Sequence, residues 1–169
     1  MSLDPQVLHE FVQESEKIIV GLLSILDHVR GKLQSAAKLE DFGNQVDRIM
    51  GAAQSLALAM SEDHALDLIS DYSSICKSIA YRAAKLTDNP AFYDICVALL
   101  TDGTKALQIL IKNMHLPFET LKESVDSTMI ERFRWVTEEA QKDPNSTGGL
   151  EDGKMSQTEV DDLMKKIGD

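Results

Sequence analysis

Residues 39–60 read LEDFGNQVDRIMGAAQSLALAM, and this stretch indicates the fold class most clearly. A set of apolar side chains recurs along it three and four residues apart, which is the spacing of one face of an α-helix. They are Phe42, Val46, Ile49, Met50, Ala53, Leu56 and Met60. Most other positions are polar or small, so the stretch predicts an amphipathic helix that packs one side against a core.

The same periodicity continues on both sides of this helix, and no strand-like alternation interrupts it. A capping residue followed by proline is typical of a helix start, and it occurs twice. Four further helices are predicted to begin near Asp4-Pro5, Ser61, Asn89-Pro90 and Pro117. The last of these carries one stripe made of Leu121, Val125, Met129, Phe133 and Val136. Short connections favour antiparallel neighbours, so residues 4–140 predict an all-α, antiparallel helical bundle of about five helices.

Composition narrows the class of protein. The chain has 169 residues, 43% hydrophobic and 27% charged, which fits one globular domain with a tail. The formal net charge of -11 disfavours a nucleic-acid partner, because an acidic surface repels phosphates. Neither a signal peptide nor an apolar run long enough for membrane insertion is evident. Cys76 and Cys96 lie within apolar helical patterns, and we expect buried thiols in a cytoplasmic protein.

The character of the sequence changes after residue 140. Residues 141–155 contain Pro144, the pair Gly148-Gly149 and several small polar residues, which predicts a flexible linker. Helical periodicity then returns over residues 156–169. Ser156 and Glu159 have the spacing of a capping box. The chain therefore divides into a bundle, a linker and a C-terminal amphipathic peptide.

The C-terminal peptide carries one apolar stripe, formed by Val160, Leu163, Met164 and Ile167, with Asp161 and Asp162 on the other face. An isolated helix this short is marginal in water, because helix nucleation is costly. The peptide is therefore expected either to pack on its own bundle or to fold on a partner, and the linker favours the partner.

The stretch Met155-Ser156-Gln157-Thr158-Glu159-Val160-Asp161-Asp162-Leu163-Met164 resembles peptides of bacterial chemotaxis proteins that bind the response regulator CheY. It is similar to the N-terminal segment of the flagellar switch protein FliM, roughly Leu-Ser-Gln-x-Glu-Ile-Asp-x-Leu-Leu. It resembles even more, by position, the C-terminal Val-Asp-Asp-Leu-Leu run of the phosphatase CheZ, which also follows a flexible linker. The resemblance implies a CheY-like partner bound through Val160, Asp161, Leu163, Met164 and Ile167.

A second stretch is similar to CheZ. Asp41-Phe42-Gly43-Asn44-Gln45, followed by Val46, resembles the catalytic Asp-x-x-x-Gln-Val of that family. Residues four apart share a helix face, and the apolar stripe directs Asp41 and Gln45 sideways and out. The resemblance implies that Gln45 holds a water for hydrolysis and that Asp41 pairs with a lysine of the regulator. It concerns the motif and the tail, since CheZ is longer and is built around one very long helical hairpin.

The same helix is also similar to histidine phosphotransfer (Hpt) domains. Residues 47–58 resemble their pattern His-x-Leu-Lys-Gly-x-Ala-x-x-Leu-Gly-Leu, with Gly51 at the glycine that leaves room for a partner. Asp47 stands where the phosphorylated histidine would be, so the resemblance implies binding of a regulator without phosphate relay. The four histidines, which we expect to be structural, are His9, His28, His64 and His115.

Three functions are compatible with these features of the sequence. They are a CheZ-like phosphatase, a non-catalytic Hpt-like adaptor that binds a response regulator, and an unrelated helical adaptor. No metal site or cofactor is expected in the chain, and Mg²⁺ is expected only in the partner regulator. Homodimerisation stays open, since bundle helices dimerise readily.

Overall fold

A computed structural model describes residues 3–62, 64–125 and 127–142. Within these ranges the chain forms six α-helices and no strand, so the predicted all-α fold is confirmed. They are α1 (Pro5–Val29), α2 (Leu39–Ala57), α3 (Ala65–Ala83), α4 (Pro90–Lys112), α5 (Phe118–Ser124) and α6 (Ser127–Lys142). A short 3-10 helix, Leu33–Lys38, connects α1 to α2.

Both predicted cap-and-proline starts are present. The carboxylate of Asp4 accepts a hydrogen bond from the backbone N–H of Gln6 at 2.8 Å, and Pro5 is the first residue of α1. The side-chain oxygen of Asn89 accepts from the N–H of Phe92 at 3.2 Å. Asn89 has a left-handed backbone (φ 61°), which asparagine tolerates better than most residues. These local contacts use backbone donors that the first helical turn leaves unpaired.

Contacts between helices show that sequential neighbours run antiparallel. Along α1 and α2, Glu14 meets Arg48, whereas Gly21, further along α1, faces Gln45, earlier on α2. Along α2 and α3, Asp47 meets Lys77, whereas Asn44, earlier on α2, meets Tyr81, later on α3. The most extensive packing is between α2 and α3. The predicted antiparallel bundle is therefore the observed architecture.

The core lies on the predicted apolar stripes. Of the stripe of α2, Phe42, Val46 and Ala53 are fully buried, and Ile49 is nearly so. α3 is buried along most of its length, since it packs against α2, α4 and α6. α6 packs on α3 through an edge-to-face contact between Phe133 and Tyr72, whose ring centroids are 5.9 Å apart.

Two predicted helix boundaries were wrong. The third helix begins after His64, not at Ser61, because Asp67 completes a capping box with His64 and no acidic residue stands three positions after Ser61. The predicted fifth helix is divided into α5 and α6. Its break follows Ser124, whose hydroxyl donates to the Leu121 carbonyl at 2.6 Å, and Val125 is extended. Such side-chain bonds compete with the helical ladder.

Both cysteines are buried and unpaired, as expected from their positions in apolar patterns. Burial raises the pKa of the Cys76 thiol to about 12. Burial likewise raises the pKa of Cys96 to about 12, although the nearby Arg82 guanidinium acts in the opposite direction. At neutral pH the two thiols are therefore protonated, and thiolate chemistry is suppressed at both.

None of the helices in the described ranges combines the length and the apolar character needed to cross a bilayer.

The capping role of His64 predicts a pH-dependent stability. Its Nδ1 atom accepts from the Leu66 N–H at 3.2 Å. Desolvation lowers the pKa of His64, although the Asp67 carboxylate acts to raise it. The unfolded chain therefore binds more protons between the folded pKa and 6.5. The stabilisation is complete above that window, and we expect it to be lost as the pH falls through it.

The measurement is the thermal midpoint between pH 7.5 and pH 5, compared with that of His64→Asn. Asparagine caps helices without titrating in this range. The difference in thermal midpoint between the two proteins should change across this pH window. Taking the difference cancels the contribution of every other titrating group. A constant difference would mean that His64 does not carry this dependence.

Candidate functional site

Asp41 lies in the first turn of α2 and is exposed. A carboxylate is favourable here, because the N-terminal end of a helix carries partial positive charge. Asn44, Arg48 and Ser55 follow on the same exposed side of the helix, with Gly51 among them. We call these five residues the outer face of α2. Asp41 is thus presented to solvent at one end of a continuous helical surface, as the sequence predicts.

Gln45 occupies a different position from Asp41, although it is only one turn away. It is half-buried, and its side chain leans onto α1. A methyl group placed on Gly21 of α1 would lie 2.8 Å from Oε1 of Gln45 and 3.9 Å from its Cδ. The terminal amide therefore lies in a space that exists because residue 21 has no side chain. We call this space the Gly21 notch.

Polar contacts hold α2 between its two neighbours. On the α1 side, Arg48 pairs with Glu14 at 2.8 Å. On the α3 side, Lys77 pairs with Asp47 at 3.1 Å. Both pairs are at least partly exposed, and salt bridges at such positions contribute little to stability.

The half of α2 that carries the motif also approaches α3 very closely. The Tyr81 hydroxyl donates to Oδ1 of Asn44 at 2.7 Å. The ring of Tyr81 lies directly over Gly43, where a methyl group would fall 2.4 Å from Cε1. Gly43 and Asn44 are the residues between Asp41 and Gln45. The backbone of the motif is therefore fixed by packing, and a site on a rigid helix holds its geometry better than one on a loop.

The Hpt-like stretch has two relevant features. Asp47, at the position of the missing histidine, is engaged by Lys77. Gly51 differs from the glycines that pack under a neighbouring helix, since a methyl group there would meet nothing within 4 Å. A glycine inside a helix costs about 1 kcal/mol relative to alanine. No contact of Gly51 in the described part of the chain requires its lack of a side chain.

Among the histidines, His64 is a structural cap. Nε2 of His28 lies 2.7 Å from Nζ of Lys38, and this contact connects α1 to the 3-10 helix. His9 and His115 are exposed. In the residues that the structure describes, no three His, Cys, Asp or Glu side chains are grouped so that they could hold a metal ion.

Two of the concave surfaces between the described helices bear on the location of the site. A groove of about 440 Å³ follows the junction of α1 and α2 beyond Gln45, with Phe11, Ile18 and Ile49 in its floor and the Glu14–Arg48 pair along it. A second pocket, of about 310 Å³, lies between α4 and the α5–α6 junction, and none of the motif residues lines it. The α1–α2 groove is the one that adjoins the candidate site.

The predicted partner-binding residues of the tail, Val160, Asp161, Leu163, Met164 and Ile167, lie outside the described residues. So does the predicted linker beyond Lys142. Their roles remain predictions from the sequence.

No protein-family model, characterised protein or solved structure matches this chain. Its function must therefore be inferred from the residues of α2, their surroundings and the sequence of the tail.

Proposed function

We propose that this chain is a CheZ-like phosphatase, which binds a phosphorylated CheY-type response regulator and promotes hydrolysis of its aspartyl phosphate in chemotaxis signalling. The observation that supports it best is the placement of Asp41 and Gln45. One carboxylate and one amide lie a single turn apart on α2, the first exposed and the second at the junction with α1. The tail sequence indicates the partner.

The chemistry needs little from this chain beyond positioning. In the hydrolysis, a water oxygen bonds to phosphorus and the bond from phosphorus to the aspartyl oxygen breaks. The carboxylate leaves with the electron pair, and the proton of the water passes to phosphate or solvent. An acyl phosphate is already reactive, so an amide that holds water in line with phosphorus is sufficient to accelerate the reaction. Gln45 is the group proposed for this role.

Asp41 is proposed to fix the docking. Its carboxylate is exposed, and it is suited to pair with a lysine beside the phosphorylation site of the regulator. An ion pair of this kind is weak when both partners are hydrated. The bundle therefore needs a second attachment to be occupied often.

The tail is proposed to supply that attachment. A flexible linker of roughly 15 residues spans ~20 Å r.m.s.. Once the tail is bound, the bundle is held near the regulator at an effective concentration in the millimolar range. The weak contact at Asp41 and Gln45 is then populated without high affinity of its own.

The deciding experiment mixes the full chain with a CheY-like regulator from the same source, phosphorylated by a small phosphodonor in Mg²⁺. Loss of regulator phosphate is followed after the donor is removed. Faster loss with the chain than without it is the expected result. An unchanged rate would reject the phosphatase.

Deletion of residues 150–169 is expected to raise KM for the phosphorylated regulator on the order of 100-fold, with kcat kept within about 2-fold. The physical reason is that the deletion removes the tether and leaves α2 intact. Steady-state release of phosphate over a range of regulator concentrations measures both constants.

Leu163→Asp in the full chain should reproduce the rise in KM, because it places a charge in the apolar stripe. Lys165→Ala, on the opposite side of the predicted helix, is the matched control and should keep KM. If the truncated and full chains have equal KM, the tail does not recruit the regulator.

The Hpt-like adaptor is the second candidate, and Gly51 is the observation that favours it. A bare glycine on the outer face of α2, with no contact among the described residues that requires it, suits close approach of a partner. This alternative predicts binding without acceleration, and protection of the regulator's phosphate is compatible with it. The same phosphate-loss experiment separates the two functions.

A further inference from the structure

Gly21 lies in the middle of α1, where glycine lowers helix stability. Three of the glycines within described helices lie under a side chain from another helix, namely Gly21, Gly43 and Gly103. Gly43 accommodates the ring of Tyr81, and Gly103 accommodates Cys76 and Phe133. Gly21 differs because its neighbour is a polar group, the amide of Gln45.

The geometry separates an effect on Gln45 from an effect on the fold. At Gly21 the close neighbour is Oε1, the far end of a flexible side chain, whereas at Gly43 the close neighbours are three atoms of the half-buried Tyr81 ring. An added methyl group at residue 21 therefore displaces one amide and leaves α1 and α2 where they are. Alanine also has the higher helix propensity, so the substitution favours the folded state.

We propose that Gly21 is a positioning residue for Gln45, an inference that rests on the proposed phosphatase function. The Gly21 notch holds the amide against the surface of α1, between that helix and solvent. The contact with the notch restricts the orientation of the Gln45 side chain, which is otherwise free to rotate about several bonds. The position of the amide in turn determines where it can hold water. Gly21 acts through Gln45 and does not itself touch the regulator.

The test is Gly21→Ala in the full chain, with kcat, KM and the thermal midpoint measured together. We expect kcat to fall about 10- to 100-fold, because small misplacements of a catalytic group have effects of this size. KM should stay within about 2-fold, since the tail and Asp41 are untouched. The thermal midpoint should rise by about 2–4 °C. A purely structural role of Gly21 would instead lower the midpoint.

Val20→Ala is the matched control, since Val20 is exposed, precedes Gly21 and gains helix propensity in the same way. Its kcat should equal that of the wild type. Gln45→Ala gives the value of kcat that is expected when the amide is lost completely. Adding Gly21→Ala to Gln45→Ala should cause no further loss, because both changes act on one group.

A measurement independent of activity follows the side-chain amide resonance of Gln45 by ¹⁵N NMR, assigned by its disappearance in Gln45→Ala. The Gln45 resonance should shift in Gly21→Ala and keep its wild-type position in Val20→Ala. If the wild type does not accelerate phosphate loss, the proposed function fails, and the resonance still reports whether the amide lies in the notch. If the wild type is active and Gly21→Ala keeps full kcat, or if the resonance does not move, the positioning role is overturned.

Discussion

Gln45→Ala is expected to lower kcat for hydrolysis of the regulator's phosphate by about 100-fold or more, which is the usual effect of losing one well-placed hydrogen-bonding group. The amide is proposed to act on the attacking water, so its contribution appears in the transition state. Its loss should therefore change kcat far more than KM. The measurement is single-turnover loss of phosphate at saturating Gln45→Ala protein.

Gln54→Ala is the control for this prediction. Gln54 is an exposed glutamine on the same helix, two and a half turns from Gln45. It should keep the wild-type rate. Equal phosphate loss with wild type and Gln45→Ala would remove the phosphatase assignment and leave an adaptor that binds a response regulator.

Gly43→Ala is expected to destabilise the bundle, although alanine is the better helix former. The new methyl group would lie 2.4 Å from Cε1 and 2.7 Å from Cδ1 of Tyr81. The ring cannot swing away without breaking the hydrogen bond from its hydroxyl to Asn44. Overpacking of this kind costs typically 1–3 kcal/mol. We take the high end of this range, because three ring atoms of Tyr81 would lie within 3 Å of the new methyl group.

After subtraction of the ~1 kcal/mol gained in helix propensity, the net loss is about 2 kcal/mol. For a chain of this size the thermal midpoint should fall by about 4–8 °C. Gly51→Ala is the matched control, since its methyl group meets nothing and the midpoint should rise. A rise with Gly43→Ala as well would mean that α2 and α3 are not held in this register.

The parts of this fold that can be predicted from the sequence are those set by neighbouring residues. Apolar periodicity predicts α2 and its buried face, because helical spacing is a local property. The Asp4 and Asn89 caps are local for the same reason. The His64 cap was missed, since histidine is not among the usual capping residues and Ser61 offered a more typical one. The break between α5 and α6 was also missed, because the apolar stripe continues across it.

In the candidate site, too, local features are predicted from the sequence and contacts between helices are not. Spacing alone predicts that Asp41 and Gln45 share one side of a helix, and the exposure of Asp41 agrees with this. The contact of Gln45 with Gly21 depends on how α1 and α2 are aligned, as does the contact of Tyr81 with Gly43. Residues so distant in sequence carry no local sign of one another. The one available signal was the occurrence of glycine in the middle of a helical pattern.

The burial of the two cysteines has a practical consequence for these experiments. Because Cys76 and Cys96 are inaccessible and have raised pKa values, the native chain offers no reactive thiol to maleimide reagents. A single cysteine introduced at an exposed position such as Ser55 becomes a selective attachment point. A fluorophore placed there, on the outer face of α2, reports docking of a partner in real time without removal of the native cysteines from the core.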